Sequence, residues 1–305
     1  MSETASAAII REKWNDTTQK RTISWDRKFS WHSPVIQAFI ESDYLDGGRI
    51  RNVLSDYIGD KPIHRGLEIG GGLGGQANEF YTSLNVDRFD VLDISDVAVA
   101  SGNKKAREQG RNIHFSVCDL NNDPLPDGPF DLICARGALH HIENLEFVFA
   151  QIADRLTDDG VFFANDYMGP SYMQWTGKQL DLMNAIVQLL PNEMNRVQHK
   201  GNQVIREVRP IPLDIFARVD PSEGVRAAEI FDVMAQHLTV KKVIPFGQTL
   251  AYETLRGRVQ NFDDYDEKDR TILSLICLLE KELITAGAIQ SDFNFVIAAK
   301  PKDSR

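Results

Sequence analysis

Long apolar runs are missing. Nowhere among the 305 residues does a stretch approach the roughly 18 consecutive apolar positions that cross a bilayer. A membrane-spanning helix is therefore not expected. Positive charge is scarce as well: Lys and Arg total 34 against 44 Asp and Glu, a formal net charge of −10. Neutralising a phosphate backbone needs a basic face, so this balance argues against a broad nucleic-acid surface, while leaving room for a local basic patch. Cysteine is sparse. Cys118, Cys134 and Cys277 are scattered, with no C-x-x-C and no metal-ligand spacing, so no metal is expected. Cys118 and Cys134 lie in apolar, strand-like runs, which points to buried free thiols rather than a catalytic one. The opening stretch MSETASAAIIREKW has no basic segment followed by an apolar one, and a cytoplasmic location is the expectation. Repeats and low-complexity tracts are lacking too. What remains is an ordinary composition, 42% apolar and 26% charged, at a length that suits one large domain or a core with a substantial insertion.

The chain is organised around Arg65 to Phe80, RGLEIGGGLGGQANEF. A short apolar run carrying Leu67 and Ile69 meets a burst of glycines, then a pattern with Gln76, Ala77 and Phe80 that suits a helix. Strand, glycine turn and helix make the nucleoside-binding corner of an open α/β sheet. Two patterns overlap there. Gly70, Gly72 and Gly75 fit G-x-G-x-x-G, the dinucleotide fingerprint. Glu68, Gly70, Gly72 and Gly74 fit E-x-G-x-G-x-G, and in that reading the stretch resembles the first motif of class I S-adenosylmethionine (SAM) dependent methyltransferases. Charge separates the two. A dinucleotide would set a pyrophosphate against Glu68, whereas SAM brings an ammonium and a sulfonium, both cationic.

Further along, RFDVLDIS (Arg88–Ser95) reads as a second strand ending in Asp93, with a helix from Asp96 to Gln109. An acid at that strand end can accept hydrogen bonds from both ribose hydroxyls, and its distance from Gly70 is close to the ~20 residues expected. Ile94 joins Asp93 in the expected cofactor set, and Asp96 is the candidate helix cap. NIHFSVCDL (Asn112–Leu120) is a third strand. The resemblance puts an acid there that reaches the adenine amino group, with a neighbouring N–H on a ring nitrogen; Asp119 and Leu120 match. FDLICARGALHHIENLE supplies a fourth strand, a loop and a helix, and the loop resembles the family's motif beside the methionine part of SAM. Its His140 and His141 cannot share one helix face, being about 100° apart. A base role for either stands beside packing or cofactor positioning. Arg136 suits a carboxylate of SAM or of the acceptor, or a surface ion pair. Val161–Gly169 is the fifth strand, and Asp166 and Tyr167 at its end are candidates for acceptor contacts.

The resemblance implies a seven-stranded, mostly parallel α/β sheet with helices on both faces. Residues 63–169 and 240–300 would form the SAM-binding core. Residues 1–62 would be a helical extension or lid, carrying the aromatic cluster Trp25, Phe29, Trp31 and His32. Residues 170–239 would be an acceptor-side insertion, in which DPSEGVRAAEI reads as a helix start with Ser222 as cap. Thr239–Leu255 and Ser291–Lys300 read as antiparallel sixth and seventh strands. Recurrent arginines in the insertion (Arg196, Arg206, Arg209, Arg218, Arg226) suggest an anionic acceptor or simply a charged surface. The implied activity is transfer of the SAM methyl to oxygen or nitrogen of a small-molecule acceptor, of the sugar-containing or specialised-metabolite kind, leaving S-adenosyl-L-homocysteine (SAH). Two other classes stay open. A nicotinamide-dependent oxidoreductase would use the same turn, although no Tyr-x-x-x-Lys pair follows the fourth strand; a methyltransferase-like module could bind SAM without catalysis.

Overall fold

The structure, a computed structural model, describes residues 5–21, 29–49, 52–175, 177–197 and 200–301; Trp25 lies outside them. Seven runs pair into one sheet: β1 (Arg65–Ile69), β2 (Arg88–Asp93), β3 (Ile113–Val117), β4 (Phe130–Arg136), β5 (Leu156–Tyr167), β6 (Thr239–Pro245) and β7 (Phe293–Ala299). Their order across the sheet is β3-β2-β1-β4-β5-β7-β6. The chain moves outward from β1 through β2 to β3, then returns to lay β4 on the other side of β1. That reversal is the topological switch point at which open α/β sheets bind ligands. Strand β7 runs antiparallel to both its neighbours, so β6 points the same way as β1–β5.

Successive side chains of a strand face opposite sides of its sheet, and here both sides are covered. Leu132, Ile133, Cys134 and Ala135 are all buried, as a central parallel strand requires. Phe162 meets Phe149 edge-on at 5.9 Å on one face, while Phe163 meets Phe80 at 5.8 Å and stacks on Phe295 at 6.3 Å on the other. Phe80 belongs to α4 (Gly75–Ser83) and Phe149 to α6 (Leu145–Arg155). Each fully buried phenylalanine is worth about 1.5–3 kcal/mol of apolar transfer.

Before the sheet come α1 (Ala5–Arg21), α2 (Pro34–Phe39), which runs on into a π-helical turn at Ile40–Tyr44, and α3 (Asn52–Ile58). Between β2 and β3 lies α5 (Asp96–Glu108). Its cap is Ser95, whose Oγ accepts from Ala98 N at 3.1 Å; Asp96, expected to cap, instead accepts from Asn15 on α1 at 2.7 Å. The segment between β5 and β6 folds as α7 (Gly177–Leu189), a two-residue hairpin pairing 196–197 with 203–204, α8 (Leu213–Val219) and α9 (Ile230–His237). The apolar stripe of α7 is packing: Met183, Ile186, Val187 and the following Leu190 are buried. All three cysteines are buried free thiols.

Two expected elements differ. The strand expected over Thr239–Leu255 stops at Pro245, where Gly247 and Gln248 turn into the left-handed region, and Leu250–Leu255 forms α10. The reason lies on α11 (Glu267–Thr285): its buried Glu280 accepts from the N–H groups of Gln248, Leu250 and Ala251, satisfying the start of α10 as no strand partner would. Ser222 also does not cap α9, which begins eight residues later. It lies in the turn that forms one wall of the site.

Candidate active site

The registers β1–β2 and β1–β4 set Leu92 and Ala135 beside Ile69, so Gly70, Asp93 and Arg136 leave the sheet at one level. Gly70 has φ +61°, and a Cβ there would lie 2.4 Å from the Cβ of Ala138; the loop after β4 packs directly on the glycine turn. Gly72 has φ +53° and faces open space, the bare backbone a ligand needs for close approach. Gly74, at φ +70°, ends the turn as the N-cap of α4.

Asp93 is fixed at the mouth of this turn. Its Oδ2 accepts from Gly72 N at 2.7 Å and its Oδ1 from Ser95 N at 2.8 Å. Ile94 follows it, half-buried. On the adjacent strand end Cys118 N donates to Asp93 O at 2.9 Å, which brings Asp119 and Leu120 alongside. Asp119 Oδ1 accepts from Asn121 N at 3.0 Å and its Oδ2 from Asn122 Nδ2 at 2.8 Å, holding the carboxylate in a turn. Arg136 is exposed at the end of β4.

Glu68 sits differently from its expected place as a ligand. It is 2% exposed, beneath the turn, where Oε2 accepts from Ala77 N at 2.7 Å. It therefore satisfies the first turn of α4 and lies beneath the turn rather than in contact with a ligand above it. Burial pushes its pKa up to about 8, opposed by the Ala77 hydrogen bond and by the Arg136 guanidinium.

The second half of the site surrounds the 3₁₀ turn Leu139–His141. Asp166 is buried beneath it and accepts from Ala138 N and Leu139 N at 2.8 Å each. Its Oδ1 also accepts from His140 Nδ1 at 2.5 Å. This carboxylate cannot reach an acceptor; it shapes the loop and charges a histidine. Burial alone would lower the His140 pKa, but Asp166 and Glu223 raise it to about 10. His140 is then a cation with both ring nitrogens donating, a state that suits holding charge rather than accepting a proton. His141 goes the other way: burial and the neighbouring His140 charge bring its pKa down to about 4. Ser222 Oγ donates to Asp220 Oδ1 at 2.6 Å and pairs with His141 Nδ1 at 3.0 Å. Neutral His141 thus donates through Nδ1 and leaves Nε2 as an acceptor. Tyr167 is also displaced from its expected role. It is 1% exposed, its hydroxyl donates to Pro170 O at 2.8 Å, and burial raises its pKa.

Residues that sequence reasoning did not single out complete the wall. Glu223 Oε1 is 3.5 Å from His140 Nε2, and buried Asp220 pairs with Lys13 of α1. The same helix sets Trp14 edge-on to His141 at 5.2 Å, and its Asn15 accepts from Ser95 Oγ at 2.6 Å. One turn of helix α1 thus touches both the end of β2 and the Asp220 turn. The D-P-S-E spacing was the available signal for that turn; its reading as a helix start hid it. Nothing in the α1 pattern marked Lys13 or Asn15.

Of the expected aromatic cluster, Phe29 and Trp31 stack on Tyr252 of α10 at 5.7 and 5.2 Å. The insertion arginines are spoken for locally. Arg209 pairs with Glu207, Arg218 with Asp214, and Arg226 with Glu146 and Glu229. Arg196 and Arg206 donate to Asn202 O and Asn192 Oδ1. The ligand atoms of His140, His141 and Glu223 all lie within 4.8 Å of one another. A cation there would have to displace the proton that His140 shares with two carboxylates.

Residues 67–160 match a family model described as a methyltransferase domain. A sterol 24-C-methyltransferase of Gibberella zeae is 28% identical over 166 residues, 53% of this chain and 42% of that protein. The methyltransferase YcgJ of Bacillus subtilis is 32% identical over 108 residues, 35% of this chain and 42% of that protein. The chain thus spans under half the length of each. Among solved structures, geranyl diphosphate C-methyltransferase of Streptomyces coelicolor superposes with a TM-score of 0.52 at 14% identity, covering 98% of both chains, a likeness of fold. Residues 67–160 thus match a methyltransferase domain, and the chain has the seven-stranded, Rossmann-like fold of the class I, SAM-dependent methyltransferases.

Proposed function

We propose that the protein transfers the methyl group of SAM to a small-molecule acceptor bound between the switch-point crevice and the Asp220–Glu223 turn. One observation carries the reading: Asp93, tied to Gly72 and Ser95, stands level with exposed Arg136 across an open glycine turn. Asp93 suits the two ribose hydroxyls, Asp119 and the Leu120 N–H suit adenine, and Arg136 suits the methionyl carboxylate. Glu68 supports the site indirectly, by holding the first turn of α4 beneath the glycine turn. Bound SAM supplies a methyl group on a sulfonium, an excellent leaving group, and the chain contributes alignment and exclusion of water.

Helix α1 supports the exclusion of water, because Asn15 and Lys13 tie it to Ser95 beside Asp93 and to Asp220 on the acceptor wall. The sterol and geranyl diphosphate enzymes act on small molecules, which supports that acceptor class here. The acceptor wall pairs the carboxylates of Asp220 and Glu223 with the cations Lys13 and His140, and this near-balanced charge suits an uncharged acceptor better than an anionic one. Incubation with methyl-labelled SAM and fractionated cell extract is expected to label a low-molecular-mass fraction. Label confined to protein or nucleic acid, or no label at all with SAM bound, would count against the reading.

A further inference from the structure

We propose that Glu223 is the proton acceptor of the transfer and that the methyl acceptor is a neutral hydroxyl compound; this rests on the reading above. Glu223 Oε1 lies 3.5 Å from His140 Nε2 and its Oε2 3.9 Å from Lys13 Nζ. Both cations are themselves anchored, His140 by Asp166 and Lys13 by Asp220. A carboxylate held between two fixed positive charges stays ionised, and its pKa is driven well below the usual range.

The neighbouring acids are committed elsewhere. Asp166 is sealed under the loop, with no side-chain surface exposed, and accepts from backbone and imidazole. Asp220 gives Oδ1 to Ser222 and Oδ2 to Lys13. Glu223 keeps 26% of its side chain accessible beside them. His141 is the rival acceptor through Nε2, but it is wedged between Trp14 and His140, whose ring centroids lie 5.2 and 4.1 Å away.

The chemistry selects the acceptor atom. A hydroxyl oxygen becomes strongly acidic as its bond to the methyl carbon forms, so even a weakly basic carboxylate placed beside it takes the proton within the same step. A methylated amine would hold its proton near a pKa of about 10 and yield none to this group. An anionic acceptor would face Glu223 and Asp220 at close range. In the step, oxygen forms a bond to the methyl carbon, the carbon–sulfur bond breaks with its electron pair going to sulfur, and the hydroxyl proton passes to Glu223. The proton then leaves to solvent along the accessible edge of that side chain.

The test uses the full chain as wild type, Glu223→Gln, Glu223→Asp, Glu223→Ala and His141→Asn. SAM binding is measured first by calorimetry, then methyl transfer to methyl hexopyranosides and aliphatic diols as hydroxyl probes. All variants are expected to bind SAM within about threefold of wild type. Glu223→Gln should lower kcat by about 100-fold or more with KM little changed, the range of general-base loss. Glu223→Asp should retain part of the rate, and sodium formate should restore part of it to Glu223→Ala. In the unliganded protein, Glu223→Gln should also move the His140 titration, seen by NMR, downward from about 10.

The proposal is overturned if Glu223→Gln keeps more than a third of the rate, or if the loss falls on His141→Asn alone. It is equally overturned if SAM-binding wild type methylates none of the hydroxyl probes. Wild type that fails to bind SAM overturns the underlying reading as well, so the two failures are told apart.

Discussion

Asp166→Ala is expected to lower the unfolding free energy by about 3–5 kcal/mol, the range seen when one partner of a buried ion pair is removed. The carboxylate satisfies the N–H groups of Ala138 and Leu139 and the Nδ1–H of His140, with no side-chain surface exposed to solvent. Alanine leaves all three donors buried without acceptors, and water has little room to replace them. The loop after β4 then loses its template. Urea denaturation measures the loss, and its pH dependence gives the signature. His140 has its folded pKa raised to about 10 from the ordinary 6.5. Its pairing therefore contributes fully below about pH 6.5 and is lost as pH rises from there through about 10. The difference in stability between wild type and Asp166→Ala should shrink across that window. A difference that stays constant from pH 6 to 10 would mean that His140 is not charged by Asp166.

Asp93→Ala is expected to weaken SAM binding by about 1.5–3 kcal/mol, or roughly 10- to 150-fold, the worth of hydrogen bonds to a charged group. The effect has two sources. The ribose loses its paired acceptor, and the glycine turn loses the Asp93 bonds to Gly72 N and Ser95 N that hold its shape. Asp93→Asn separates them, because an amide keeps one acceptor oxygen and should fall between wild type and alanine. Calorimetric titration of the folded variants measures both. Unchanged affinity in Asp93→Ala would remove this residue from the site.

The local chemistry of strands and turns wrote the sheet plainly into the sequence. Positive-φ positions at Gly70, Gly72 and Gly74 announce themselves as glycine, and an acid at a strand end is visible as soon as the strand is. Asp93 and Asp119 were legible for that reason. Contacts between segments distant in sequence were not. Nothing near His140 states that Asp166 lies beneath it, that Glu223 approaches from 83 positions away, or that Lys13 crosses from α1. These side chains decide which histidine is charged, so the acid–base roles of the two histidines could not be told apart from the loop alone. The same limit explains α10: the carboxylate that starts it, Glu280, comes 30 residues after Leu250. It also explains Glu68, whose place under the turn depends on where α4 begins.

Everything above depends on the switch-point crevice preferring a cationic, phosphate-free nucleoside. Calorimetric titration of the full chain with SAM, SAH and NADH, each alone and then in competition, addresses that preference most directly. The expected outcome is one SAM per chain, displaced by SAH and indifferent to NADH. Tight NADH binding that SAM cannot displace would contradict it.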